Sequence, residues 1–177
     1  MQIYVDFISG RVFQFDIDST PPTNYPYVAG QNIAAVTLGN TTVSTKLASV
    51  TIPAGALKIG DSVKVLFFAT VNSSAGTKAV TINVNNTGSA NAGALTMTTN
   101  TGGIMEVTFK ITSLTNIRAL TMTNNASYGL VTTTSPRNYT VLNINSNDFT
   151  IDIYGQKITS GTDTLILEHF AAIAQRT

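Results

Sequence analysis

Short runs of strictly alternating apolar and polar residues, with no helical period between them, constrain this chain more than any other feature. Val80, Ile82 and Val84 alternate with Thr81 and Asn83; Val107, Phe109 and Ile111 with Thr108 and Lys110; Phe149, Ile151 and Ile153 with Thr150 and Asp152. A period of two gives an extended segment one dry face and one wet face. That is the pattern of antiparallel strands in stacked sheets rather than of a helix-covered parallel sheet. The runs recur at roughly 8 to 15 residues, separated by Gly, Asn and Ser clusters. They predict strands over Lys46–Ile52, Ser62–Val71, Lys78–Asn85, Ala94–Thr99, Ile104–Thr112, Asn116–Thr123, Asp148–Tyr154 and Thr164–Phe170, with Tyr139–Ile144 as a ninth candidate. The fold class expected is all-β, an antiparallel jelly-roll-like β-sandwich, with an immunoglobulin-like sandwich or small barrel as the alternative. The stretch Leu165 to Ala174 reads as a strand because Gly161 and Thr162 precede it and β-type residues open it, although its Ala-rich end also suits a helix.

The N-terminus carries a separate signal. Alternating runs Gln2–Ile8 and Arg11–Ile17 flank a Ser9-Gly10 break and predict a β-hairpin. With a three-residue loop, Ser9 to Arg11, the residues Ile3, Val5, Phe7, Phe13, Phe15 and Ile17 would share one face, and these six are the candidate anchor or interface residues. A lone two-stranded hairpin is marginal in water, so this face is expected to dock on something. From Asp18 to Asn32 the chain turns Pro-rich, with Pro21, Pro22 and Pro26 removing ladder donors. The expected organisation is therefore an N-terminal hairpin and linker over residues 1–32 and a body over residues 33–177.

Charge narrows the partners. Only 11% of the 177 residues are charged, against roughly 25% in an average soluble protein, and 29 threonines fill the gap. Threonine is β-branched yet polar, suiting the wet side of a strand. A net charge of +1 leaves no basic footprint for nucleic acid or an anionic membrane, and so little surface charge favours burial in an oligomer. There is no cysteine, and no apolar run of membrane-spanning length or signal-peptide pattern is seen, so neither membrane insertion nor a secretory route is expected. The N-x-Ser/Thr triplets at Asn40, Asn72, Asn85, Asn125 and Asn138 are then composition rather than glycosylation sites.

No constellation points to catalysis, a cofactor or a metal. Asp16 and Asp18 share one side of a strand end, but calcium takes six to eight oxygens. His169 is the single histidine and is expected on the face of Leu165 and Leu167 as a core or interface residue. Asp148 and Asp152 in one strand do not make the flanking carboxylate pair of a glycosidase. Gly102-Gly103 and the Gly88–Gly93 stretch read as turns, lacking the lysine and helix of a phosphate loop. No enzyme activity is expected.

From about Lys46 onward the chain resembles the trimeric jelly-roll domains of bacteriophage head fibres, tail fibres and capsid-decoration proteins. The residues that carry the resemblance are Ala48-Ser49-Val50-Thr51-Ile52-Pro53-Ala54-Gly55-Ala56-Leu57-Lys58-Ile59-Gly60-Asp61 and the strand Ser62–Phe68 after it, then Asn72–Ile82, which looks like a following hairpin, and Asp163–Glu168, which looks like a closing strand. The resemblance implies a homotrimer located on a virion, partnered by other capsid or tail proteins and attached through its N-terminal segment. A second expectation is host-glycan recognition for adhesion, with Asn124, Asn125, Tyr128, Asn138 and Tyr139 as candidate ligand loops.

Overall fold

The computed structural model describes residues 2–6, 11–15, 27–31, 34–71, 76–85, 91–97, 102–125, 131–133, 136–158 and 163–176. In chain order the strands are β1 (Gln2–Asp6), β2 (Arg11–Phe15), β3 (Tyr27–Gln31), β4 (Val36–Thr37), β5 (Thr45–Ile52), β6 (Ser62–Val71) and β7 (Lys78–Val84). They continue as β8 (Asn91–Met97), β9 (Gly102–Ser113), β10 (Asn116–Asn125), β11 (Val131–Thr133), β12 (Arg137–Thr140), β13 (Phe149–Lys157) and β14 (Leu165–Gln175).

The strands form two antiparallel sheets of a sandwich. The larger runs β11-β10-β9-β6-β14-β3, with β12 beside β10 and β4 beside β14; the smaller runs β5-β13-β7-β8. The chain crosses repeatedly between sheets, from β5 to β6, β6 to β7, β8 to β9 and β13 to β14. Lys78–Val84 therefore does not form the expected hairpin with the strand before it: β6 and β7 lie in different sheets, and the intervening segment is a crossover.

Alternation dictates the packing. On β6 the residues Val63, Val65, Phe67 and Ala69 are buried, and on β9 Met105, Val107, Phe109 and Ile111. Opposite them stand Val80, Ile82 and Val84 of β7 and Phe149, Ile151 and Ile153 of β13. Phe109 meets Phe149 edge to face across the sandwich, ring centroids 6.3 Å apart at 74°, the geometry favoured by the ring quadrupoles. Gly155 on β13 gives room for both sheets: a Cβ there would sit 2.7 Å from Leu47 Cδ1 and 3.0 Å from Leu165 Cδ2.

The turns of the segment after β5 form as expected. Gly55 (φ 74°) and Gly60 (φ 101°) occupy the left-handed region that glycine tolerates, and Ala56 N bonds Pro53 O while Asp61 N bonds Lys58 O.

Four expectations need correction. Asp6 opposes Arg11, Val5 opposes Val12, and Tyr4 opposes Phe13, so the hairpin connection is residues 7–10, not Ser9 to Arg11. That odd change of register swaps the side of one strand, and Ile3 and Val5 share a ladder side with Val12 and Gln14, not with Phe13 and Phe15. Phe7 and Ile17 lie outside the described residues. Second, Tyr27–Gln31, assigned to the linker, is a strand of the larger sheet that pairs with β14. Third, Gly102 and Gly103 open β9 instead of turning; a Cβ would meet the Phe68 ring at 2.9 Å at the first and Leu95 Cδ2 at 2.7 Å at the second. Fourth, the Tyr139–Ile144 candidate is strand only up to Thr140, and Ile144 opens a turn.

Candidate functional site

The two outer faces of the sandwich have opposite chemistry. On the larger sheet the outward positions follow the ladder in rows. One row runs Val28, Ile173, Lys64, Thr108, Leu120; the next holds Ala171, Leu66, Glu106 and Met122; a third holds His169, Phe68 and Ile104. Phe68, Leu66, Leu120, Ile104 and Val28 are all exposed, at 36% to 58%. Single exposed aliphatics are ordinary, but a contiguous patch marks a contact surface. At about 4.8 Å between strands and about 6.7 Å between rows, these twelve positions of the face cover roughly 390 Å², Lys64, Thr108, Glu106 and His169 included. Its charges pair internally, Lys64 Nζ lying 3.0 Å from Glu106 Oε1, and Thr70 Oγ1 bonds Glu168 Oε1 at 2.5 Å.

His169 lies on this exposed face, not on the expected face of Leu165 and Leu167. The ladder slips between Leu167 and His169, so Glu168 is an extra residue, and a bulge reverses which alternate positions point inward. Leu165 and Leu167 are buried before it and Phe170, Ala172 and Ala174 after it, leaving His169 exposed.

The smaller sheet presents a polar face. On β13 the inward positions are Phe149, Ile151, Ile153, Gly155 and Lys157; the outward ones are Thr150, Asp152, Tyr154 and Gln156. Asp152 is flanked by Ser49 and Asn83, and Tyr154 by Lys46 and Thr81. Although on an outer face, Asp152 is only 2% exposed. Ser49 Oγ donates to Oδ1 at 2.6 Å and Lys46 Nζ pairs with Oδ2 at 3.0 Å. The hydrogen bond to Asp152 is the main reason the Lys46 ammonium is held above the ordinary lysine value of 10.5, against a smaller opposing effect of burial. The same ammonium sits 5.8 Å from the Tyr154 ring centroid, within cation–π range.

A third polar group lies inside the sandwich. Lys78 and Lys157 are directly paired on β7 and β13 and are 0% and 1% exposed. Lys78 Nζ is 3.4 Å from Asp163 Oδ2, and Lys157 Nζ donates to the Asp163 main-chain oxygen at 2.8 Å.

The residues expected to form ligand loops are not brought together. Asn124 and Asn125 end β10, and Asn138 and Tyr139 lie on β12, where Asn138 opposes Arg118. Six residues of strand separate Arg118 from Asn124, about 20 Å. Tyr139 packs against the core. Tyr128, Asp16 and Asp18 lie outside the described residues. Asp148 and Asp152 have structural bonds, Asp148 Oδ1 accepting from Ala54 N at 3.0 Å. Among the described residues no cluster of three or more metal-ligating side chains occurs.

Fold and faces define an antiparallel two-sheet β-sandwich with one apolar and one polar outer surface. No family model and no curated protein matches the chain. Among solved structures it is similar to arcelin-5, a lectin-like defense protein from Phaseolus vulgaris, at TM-score 0.43 and 9% identity, covering 88% of this chain and 100% of that one. It is also similar to lectin I from Ulex europaeus in complex with the methyl glycoside of alpha-L-fucose, at TM-score 0.43 and 8% identity, covering 87% and 99%.

Proposed function

We propose that this chain is a structural protein of a virion, a head-fibre, fibre-tip or capsid-decoration component that assembles as a homotrimer and attaches through its N-terminal segment. Its work is assembly rather than chemistry. The observation that carries the reading is the apolar outer face of the larger sheet. A face of roughly 390 Å² on which eight of the twelve outward positions are apolar suits part of a subunit interface of about 800 Å² per partner, and its internally paired Lys64 and Glu106 bring no net repulsion against a second copy. The order of turns and strands from Ala48 to Phe68, by which the chain resembles phage fibre and decoration domains, adds support. The β1–β2 hairpin, a sheet separate from both sheets of the body, suits an attachment arm.

Light scattering on the full chain tests the assembly. Three times the 18.7 kDa chain mass is expected, and the chain mass itself would remove the trimer. Replacing Phe13 and Phe15 with Ser tests the arm: loss of virion attachment with the body still folded is expected, whereas an unfolded body would refute it. Glycan recognition gains nothing from the dispersed residues Asn124, Asn125, Asn138 and Tyr139; a different surface supports it.

A further inference from the structure

The outer face of the smaller sheet has a composition that neither core packing nor the proposed assembly uses. Its rows are Thr51 and Thr150; Ser49, Asp152 and Asn83; Lys46, Tyr154, Thr81 and Ala94; and Gln156, Ala79 and Thr96. Alanine supplies the aliphatic surface among these described residues, in contrast to the Leu, Ile and Phe of the other face. A protein partner of ordinary apolar character has little to bury here. An anionic partner has little to gain either, because Lys46 is already neutralised by Asp152. What remains is a neutral lattice of hydroxyl and amide groups around one aromatic ring.

That ring is held in place. Asp152 is bonded by Ser49 and Lys46, and Lys46 in turn lies 5.8 Å from the centroid of the half-buried Tyr154 ring, so one buried carboxylate holds the exposed ammonium beside that ring. Half-buried Thr81 and Asn83 stand beside Tyr154 and Asp152 on the next strand. A pyranose ring offers an apolar C–H face to stack on an aromatic side chain and a rim of hydroxyls to hydrogen-bond with amides and alcohols.

We propose that this face is a binding platform for neutral glycans, with Tyr154 as the stacking residue, Thr81 and Asn83 as hydrogen-bonding residues, and Asp152 as a positioning residue acting through Lys46. The proposal rests on the assembly reading in one respect: burying the apolar sheet in the oligomer leaves the polar sheet outward. An open sheet face binds one glycan weakly, and several copies on one particle raise the avidity.

The test is an array of neutral hexose and N-acetylhexosamine oligosaccharides, with sialylated ones alongside, probed with the full-length protein and with variants whose mass and circular dichroism match it. Retention on neutral glycans is expected, with no gain from sialic acid. Tyr154→Ala and Asn83→Ala should each lose roughly tenfold in apparent affinity, and Tyr154→Phe should keep it. Failure of the intact protein to bind any neutral glycan overturns the proposal, as does binding unchanged by both alanine variants. Light scattering on the same samples separates the two readings: a monomer that binds through Tyr154 leaves the platform standing and removes the assembly, whereas a trimer that binds no glycan does the reverse.

Discussion

Lys78 and Lys157 face one another across the β7–β13 ladder inside the sandwich, with Asp163 as the carboxylate between the sheets that pairs with one and presents its main-chain oxygen to the other. Like charges directly opposed on a sheet are unfavourable, and Asp163 is in contact with both buried ammonium groups. Removing one member of a buried charged set costs about 3–5 kcal/mol. Asp163→Ala is expected to lose that much in urea denaturation at fixed protein concentration. The triple replacement Lys78→Met, Lys157→Met, Asp163→Leu should recover most of it, because no charge is then left unpaired.

Phe68 and Ile104 are opposed on the exposed face of the larger sheet. A charge there costs the folded monomer little and an apolar subunit contact a great deal. Phe68→Glu combined with Ile104→Glu should reduce the light-scattering mass to 18.7 kDa while the β-sheet circular dichroism persists. On the proposed trimer, a mass unchanged from that of the wild-type chain would place the subunit contact elsewhere.

Gly155 admits Leu47 from its own sheet and Leu165 from the other. Gly155→Val forces both leucines to move, and overpacking of this kind costs about 1–3 kcal/mol. A lower thermal midpoint with the light-scattering mass unchanged from wild type is the expected readout.

The Lys46–Asp152 pair has an alkaline signature. Since the lysine value is raised in the folded state, its contribution is complete below the ordinary 10.5 and disappears as pH climbs through the higher folded-state value. Wild-type stability should fall above pH 10.5 by more than that of Lys46→Gln, compared by urea titration across that range. Equal losses would mean the pair contributes nothing to folding.

Much of the body was legible because alternation is a local property. Ser62–Val71 appears in the structure with the predicted bounds, and the inward residues of β7, β9 and β13 are those the period of two selects. His169 was misplaced because a bulge at Glu168 breaks the period without any sequence mark. The hairpin register depended on loop length, which Ser9-Gly10 does not determine. Tyr27–Gln31 escaped notice because its neighbour in space is β14, far along the chain. The same distance hid the Asp152 cluster: Ser49 lies 103 residues away, and an aspartate at a wet position gives no hint of being covered. The apolar face did leave a signal. Leu66-Phe67-Phe68 interrupts the alternation of β6 and puts large apolar groups where the period requires polar ones.

Because β3 runs antiparallel to β14 with Tyr27 opposite Ala174, the segment entering the body and the strand closing it meet at the same end of the sandwich. Tension applied between the chain before Tyr27 and the chain after Ala174 would peel β3 away as a zipper opens, loading its ladder bonds one at a time instead of in parallel. If load reaches the body through the N-terminal segment, as the proposed attachment would have it, this edge of the larger sheet carries it first.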